Sequence, residues 1–155
     1  MSAGKPMLGE ILIQRGLISQ IKLDMALDEQ RQTREFLGAI LVRRKYLREE
    51  DLIKALSDQF DIPCVSLKNE YIDWSVTMRF SAALVTEHAF LPIRSTEKGI
   101  TVAITNPLDA VGISRVEREA NGQPVQLVLT SSEDMRDAVK RWNEKNAART
   151  KKSLE

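Results

Sequence analysis

The sequence contains one cysteine, Cys64, and one histidine, His88, in 155 residues. A single thiol excludes an internal disulfide, and one cysteine with one histidine cannot supply a Cys/His zinc site. A reducing, cytoplasmic setting fits this usage. No apolar run approaches the roughly 20 residues needed to cross a bilayer, and the N-terminus lacks the basic-then-apolar order of a secretory signal. A soluble chain is therefore expected. An excess of one charge is missing too: 23 Lys+Arg stand against 22 Asp+Glu, a formal +1, and only Arg43, Arg44 and Lys45 run together. This balance argues against binding driven by neutralisation of nucleic-acid phosphates.

The common catalytic signatures are absent as well. Gly4-Lys5 is followed by proline and lacks the upstream glycine of a phosphate-binding loop, and there is no G-x-G-x-x-G, G-x-S-x-G or His-Glu-x-x-His. Glu87-His88 could be imagined as an acid/base pair, but a lone histidine at a helix end is more often a satisfied structural residue. Cys64 has no activating neighbour in the sequence and reads as buried and inert. The expectation is a protein that is not an enzyme and holds no metal.

What the sequence does have is 43% apolar residues and an internal repeat. Residues 7–30 and 36–59 superpose without a gap at an offset of 29, with nine identities in 24 positions. The identities pair Leu8 with Leu37, Gly9 with Gly38, Ile11 with Ile40, Leu12 with Leu41 and Arg15 with Arg44. The remainder pair Leu23 with Leu52, Ala26 with Ala55, Leu27 with Leu56 and Gln30 with Gln59. Each copy carries two helical patterns, a short one around Leu8, Ile11 and Leu12 and a longer one with Leu23, Ala26 and Leu27 at i, i+3, i+4. Gly16 suits a left-handed turn between them, and Ser19 suits the cap of the second helix. In the other copy Lys45 and Arg48 take those places, followed by Glu49, Glu50 and Asp51, whose charge complements a helix N-terminus. Residues 7–60 are thus expected to form four helices from two helix-turn-helix units.

Beyond Pro63 the pattern changes. A short apolar run, Cys64 to Leu67, precedes weak helical patterning over 80–89. Phe90 to Arg94 and Ile100 to Ile104 then read as a hairpin turning at Gly99. Asn106-Pro107 leads into a helix near 108–120 that ends at Asn121-Gly122, Val125 to Leu129 reads as a third strand, and Ser131 with Asp134 opens a last helix carrying Met135, Ala138, Val139 and Trp142. The fold class expected is α+β: a four-helix unit at 7–60, an α/β unit with a small three-stranded sheet at 61–147, and a polar tail at 148–155.

The two glutamines lie on the apolar face of their helices, where an amide must find partners or cost roughly 1 to 3 kcal/mol. Each could tie down the backbone of the preceding short helix or an inter-helix loop, or both could line a ligand site. Gly9 and Gly38 likewise allow close packing of a helix, or close approach of a ligand to the first-turn N–H groups.

The pattern L-G-x-x-L, a loop, then L-x-x-A-L-x-x-Q, given twice with five residues between, resembles the N-terminal domain of type II secretion and type IV pilus assembly ATPases, the GspE/MshE family. Leu91-Pro92-Ile93, Asn106-Pro107-Leu108-Asp109 and the strand-helix ending after Val125 resemble the companion region of the same family. The resemblance implies a cytoplasmic regulatory and docking module that links the motor to its inner-membrane platform, reaching the membrane only through partners. In some members of that family cyclic di-GMP binds between the duplicated motifs. Carried over by position, that site would comprise Leu8, Gly9, Leu12, Leu23, Leu27 and Gln30 in the first copy. In the second it would comprise Leu37, Gly38, Leu41, Leu52, Leu56 and Gln59. The family's arginine before each Leu-Gly is replaced by Met7 and Phe36, and the mid-motif glycine of the second copy is Lys45. Methionine and phenylalanine offer only apolar contact where a guanidinium would stack and hydrogen-bond in a fork. Lys5 and Arg34, two residues before the lost arginines, are the nearest cations able to replace them.

Overall fold

The computed structural model describes residues 7–154. The chain divides between Ile62 and Pro63 into two compact units.

The first unit holds α1 (Leu8–Gln14), α2 (Gln20–Thr33), α3 (Leu37–Arg43) and α4 (Glu49–Phe60). The repeat explains its core. Leu12, Ile40, Leu41, Ala55 and Leu56 are wholly buried, and Leu8, Ile11, Leu23, Ala26, Leu37 and Leu52 nearly so. α1 packs on α3 and α4, and α3 packs on α2 and α4. Both inter-helix turns use the same left-handed backbone, φ +70° at Gly16 and +62° at Lys45. The Ser19 hydroxyl accepts the Lys22 N–H at 3.3 Å and caps α2. α4 begins at Arg48 without a side-chain cap, and Glu49, Glu50 and Asp51 occupy its first turn. Their negative charge faces the positive end of the helix dipole.

In the second unit, β1 (Leu91–Thr96) and β2 (Gly99–Ile104) form an antiparallel hairpin, and β3 (Val125–Leu129) adds parallel to β2, giving the order β1-β2-β3. Every residue of β2 is buried, as a central strand covered on both faces should be. The hairpin depends on Gly99. Its φ is +120°, and a Cβ there would stand 2.1 Å from the Pro124 carbonyl oxygen, which accepts the Ile100 N–H. Helix α7 (Ala110–Glu119) carries the crossover, capped by Asp109, whose carboxylate accepts the Gly112 N–H at 2.9 Å. Ahead of the sheet lie a 3-10 turn (Leu67–Asn69), α5 (Trp74–Thr77) and α6 (Ala82–His88); behind it lies α8 (Ser132–Leu154). The core gathers Leu67, Val85, Leu91, Ile93, Ala103, Met135, Ala138 and Trp142.

Two expectations are corrected, and two short elements are added. The stretch 148–155, set aside as a tail, is helical through Leu154. Ala147, Ala148, Arg149, Lys151 and Lys152 are good helix formers with no glycine or proline among them, so α8 has no reason to stop earlier. Cys64 is exposed, not buried. Its backbone pairs with Leu129 in an isolated parallel bridge, which fixes the main chain while the thiol side stays outside. Helix α5 and the 3-10 turn had no counterpart in the sequence reading, because three or four residues are too few to display a helical period.

Candidate functional site

The duplicated motifs meet in the first unit, and their charged residues cross between copies. Arg15 of the first copy pairs with Asp58 of the second at 2.9 Å, and Arg44 of the second pairs with Glu29 of the first at 2.7 Å. Arg15 and Arg44 are repeat equivalents at the offset of 29, and so are Glu29 and Asp58. The two contacts are therefore one contact made twice, the pattern of an approximate two-fold axis. Arg43 joins on one side only, bonding Glu29 and, at 3.0 Å, Glu35. Hydrogen bonds from Arg43 and then Arg44 hold the Glu29 carboxyl below its ordinary value of 4.5.

The twelve positions carried over by resemblance fall into two groups. Leu8, Gly9, Leu12, Leu23, Leu37, Gly38, Leu41, Leu52 and Leu56 are buried, with Leu12, Leu41 and Leu56 wholly inside the core. Leu27, Gln30 and Gln59 are half-buried. The Gln30 amide donates to the Glu35 carbonyl at 3.1 Å, tying down the loop between α2 and α3. Both glycines are filled over by leucine. A Cβ on Gly9 would lie 2.8 Å from Leu23, and one on Gly38 would lie 2.9 Å from Leu52. The copies differ at the residue before Leu-Gly. Met7 is 75% exposed. Phe36 instead lies against Gly38, its ring edge 2.8 Å from where a Cβ would be. Lys45 and Arg34 are exposed, both at positive φ, and Lys5 lies outside the described residues.

His88 is not paired with Glu87. Its Nδ1 lies 2.7 Å from Asp109 Oδ2, and Asp109 also caps α7, so the pair ties the end of α6 to the start of α7. A second tie runs from Glu119 to Ser81, whose N–H and hydroxyl it accepts at 2.6 and 2.8 Å, and to Arg115. Burial pushes the Glu119 carboxyl up, and the bonds from Ser81 and Arg115 more than offset it, leaving the group below its ordinary value. Among the described residues no cluster of three or more His, Cys, Asp or Glu could hold a metal, and no helix is long and apolar enough to cross a membrane.

The sequence profile of the MshEN domain matches residues 60–148. The chain belongs to the MshEN domain family. The matched span covers the α/β unit, whereas the resemblance in the sequence rested mainly on the repeat. Curated relatives align over more of the chain. The type IV pilus assembly ATPase PilB of Myxococcus xanthus is 24% identical over 135 residues, 87% of this chain and 24% of its own length. PilB of Thermus thermophilus is 29% identical over 119 residues, 76% of this chain and 13% of its own length. Bacteriophage adsorption protein B of Escherichia coli is 24% identical over 87% of this chain, which spans 18% of it. This chain thus spans about a quarter or less of the curated relatives it matches. Two solved structures share the fold. MshE with cyclic di-GMP superposes with a TM-score of 0.76 at 21% identity, covering 88% of this chain and 99% of that one. The N-terminal domain of XpsE gives 0.72 at 20% identity, covering 92% and 99%.

Proposed function

We propose that this chain is a non-enzymatic regulatory and docking domain of a type II secretion or type IV pilus assembly ATPase system, with a degenerate cyclic di-GMP site. One observation carries the reading. At the two places where the resemblance calls for arginine the chain has Met7 and Phe36, and Phe36 closes over Gly38. The remaining positions of the motif support it, since most are buried and serve the core. Its partners on this reading are the inner-membrane platform or the ATPase itself, with neither nucleic acid nor direct membrane insertion involved.

A charged donor contributes roughly 1.5 to 3 kcal/mol per hydrogen bond, so the loss of one arginine contact per copy removes about 3 to 6 kcal/mol. That corresponds to roughly a hundred-fold to ten-thousand-fold in affinity. Titration calorimetry should find no useful binding of cyclic di-GMP to the unaltered chain and measurable binding to the Met7→Arg, Phe36→Arg double variant. Micromolar binding by the unaltered chain would overturn the degenerate site in favour of a sensor using Lys5, Arg34 or Lys45. Docking is tested separately, by retention of the cytoplasmic parts of the platform proteins on the immobilised chain.

A further inference from the structure

Away from the repeat, α6 and α8 enclose a groove of about 330 Å³ that is open to solvent. Its floor is apolar, formed by Val85 of α6, by Ala89 just after that helix, and by Met135 and Val139 from α8. Its rim on α8 is cationic, with Arg136 and Lys140 one turn apart. No carboxylate lines it. Both cations are exposed and make no ion pair or hydrogen bond among the described residues. On another face of the same helix Arg141 and Lys145 lie over the Trp74 ring, 5.3 and 5.6 Å from its centre. Over the whole of α8 the sequence carries seven basic residues against four acids, Glu133, Asp134, Asp137 and Glu144, with the first three of these acids near its start.

We propose that this groove docks an acidic amphipathic helix of a partner protein. Apolar side chains at i and i+4 would seat on the floor, and carboxylates flanking them would pair with Arg136 and Lys140. The charge fixes the sign of the partner, because burying an apolar stripe here brings its flanks within reach of two unpaired cations. The open shape favours a helix over a small molecule, which would leave much of its surface in water. This proposal rests on the docking reading above and is independent of the nucleotide.

The test pans a random peptide display library on the whole chain and measures the recovered peptides by fluorescence anisotropy. The expected peptides carry Asp or Glu around spaced aliphatic or aromatic residues. Their binding should fall about tenfold or more with Arg136→Glu, Lys140→Glu, and stay within about twofold with Arg141→Glu, Lys145→Glu. Thr86→Glu, exposed on the opposite wall, should weaken the same peptides without touching α8. Failure to enrich acidic peptides, or equal losses in both double variants, would overturn the groove. So would binding to phosphatidylglycerol vesicles that Arg136→Glu, Lys140→Glu abolishes, which would assign it to a lipid surface. The same variants are carried into the platform retention assay. Unchanged retention by the rim variant sinks the groove and leaves docking standing, whereas no retention by any form sinks the docking reading itself.

Discussion

Lysine at position 45 holds a backbone conformation that position 16 gives to glycine. A left-handed conformation costs a residue with a Cβ roughly 1 to 2 kcal/mol, offset in part by the greater freedom glycine loses on folding. Gly16 has nothing within 4 Å of an added Cβ, so a substitution there reports the backbone alone. Gly16→Lys should therefore lower stability by about 0.5 to 1 kcal/mol, and Lys45→Gly should raise it by a similar amount. Urea denaturation of the two variants checks this, and identical midpoints for both would contradict it. The lysine was visible in the sequence as a departure from the repeat. The survival of its turn is legible there too; the left-handed backbone, φ +62°, is imposed by the buried helices on either side.

Among the elements, the longer helices were legible because they repeat apolar residues at i, i+3, i+4 over two or more turns. Helix α5 was not. It is held by partners distant in sequence: Asp73 N–H donates to the Ile93 carbonyl at 2.7 Å, and the buried Thr77 hydroxyl donates to the Pro92 carbonyl at 2.6 Å. At the candidate site the sequence displays recurring positions and not their roles. Leu12, Leu41 and Leu56 recur in the motif, and the sequence alone cannot say whether a recurring leucine faces a ligand or the core. The crossing ion pairs went unread although Arg15 and Arg44 are identities of the repeat, since their partners Glu29 and Asp58 match in charge and not in identity. These pairs predict a pH response. The Glu29 carboxyl is held below its ordinary value, so its contribution is present above that value and is lost as the pH falls through the lowered one. Thermal melts should show Arg44→Gln destabilising the chain at neutral pH, with the difference from the unaltered chain shrinking well below pH 4.5. A constant difference across that range would count against the pairing.

For the whole molecule, two units with separate cores imply two stabilities. Native-state hydrogen exchange should sort the amides of residues 8–60 and those of the β1, β2 and β3 strands into two groups with different opening free energies. A single shared value would indicate one cooperative core. At the same scale, the sequence has no loop to cradle nucleotide phosphates, and the purified chain should show no ATP turnover above background that follows its elution profile.

The reciprocal pairing of Arg15 with Asp58 and Arg44 with Glu29 bears on descent. A single ancestral segment with one arginine and one carboxylate at these places would already have been complementary to a second copy of itself. The five residues joining the copies, 31–35, begin as the last residues of α2 and end in the short connection to α3. The copies now differ at one edge of that symmetry, with Phe36 closing over its glycine while Met7 stands in solvent.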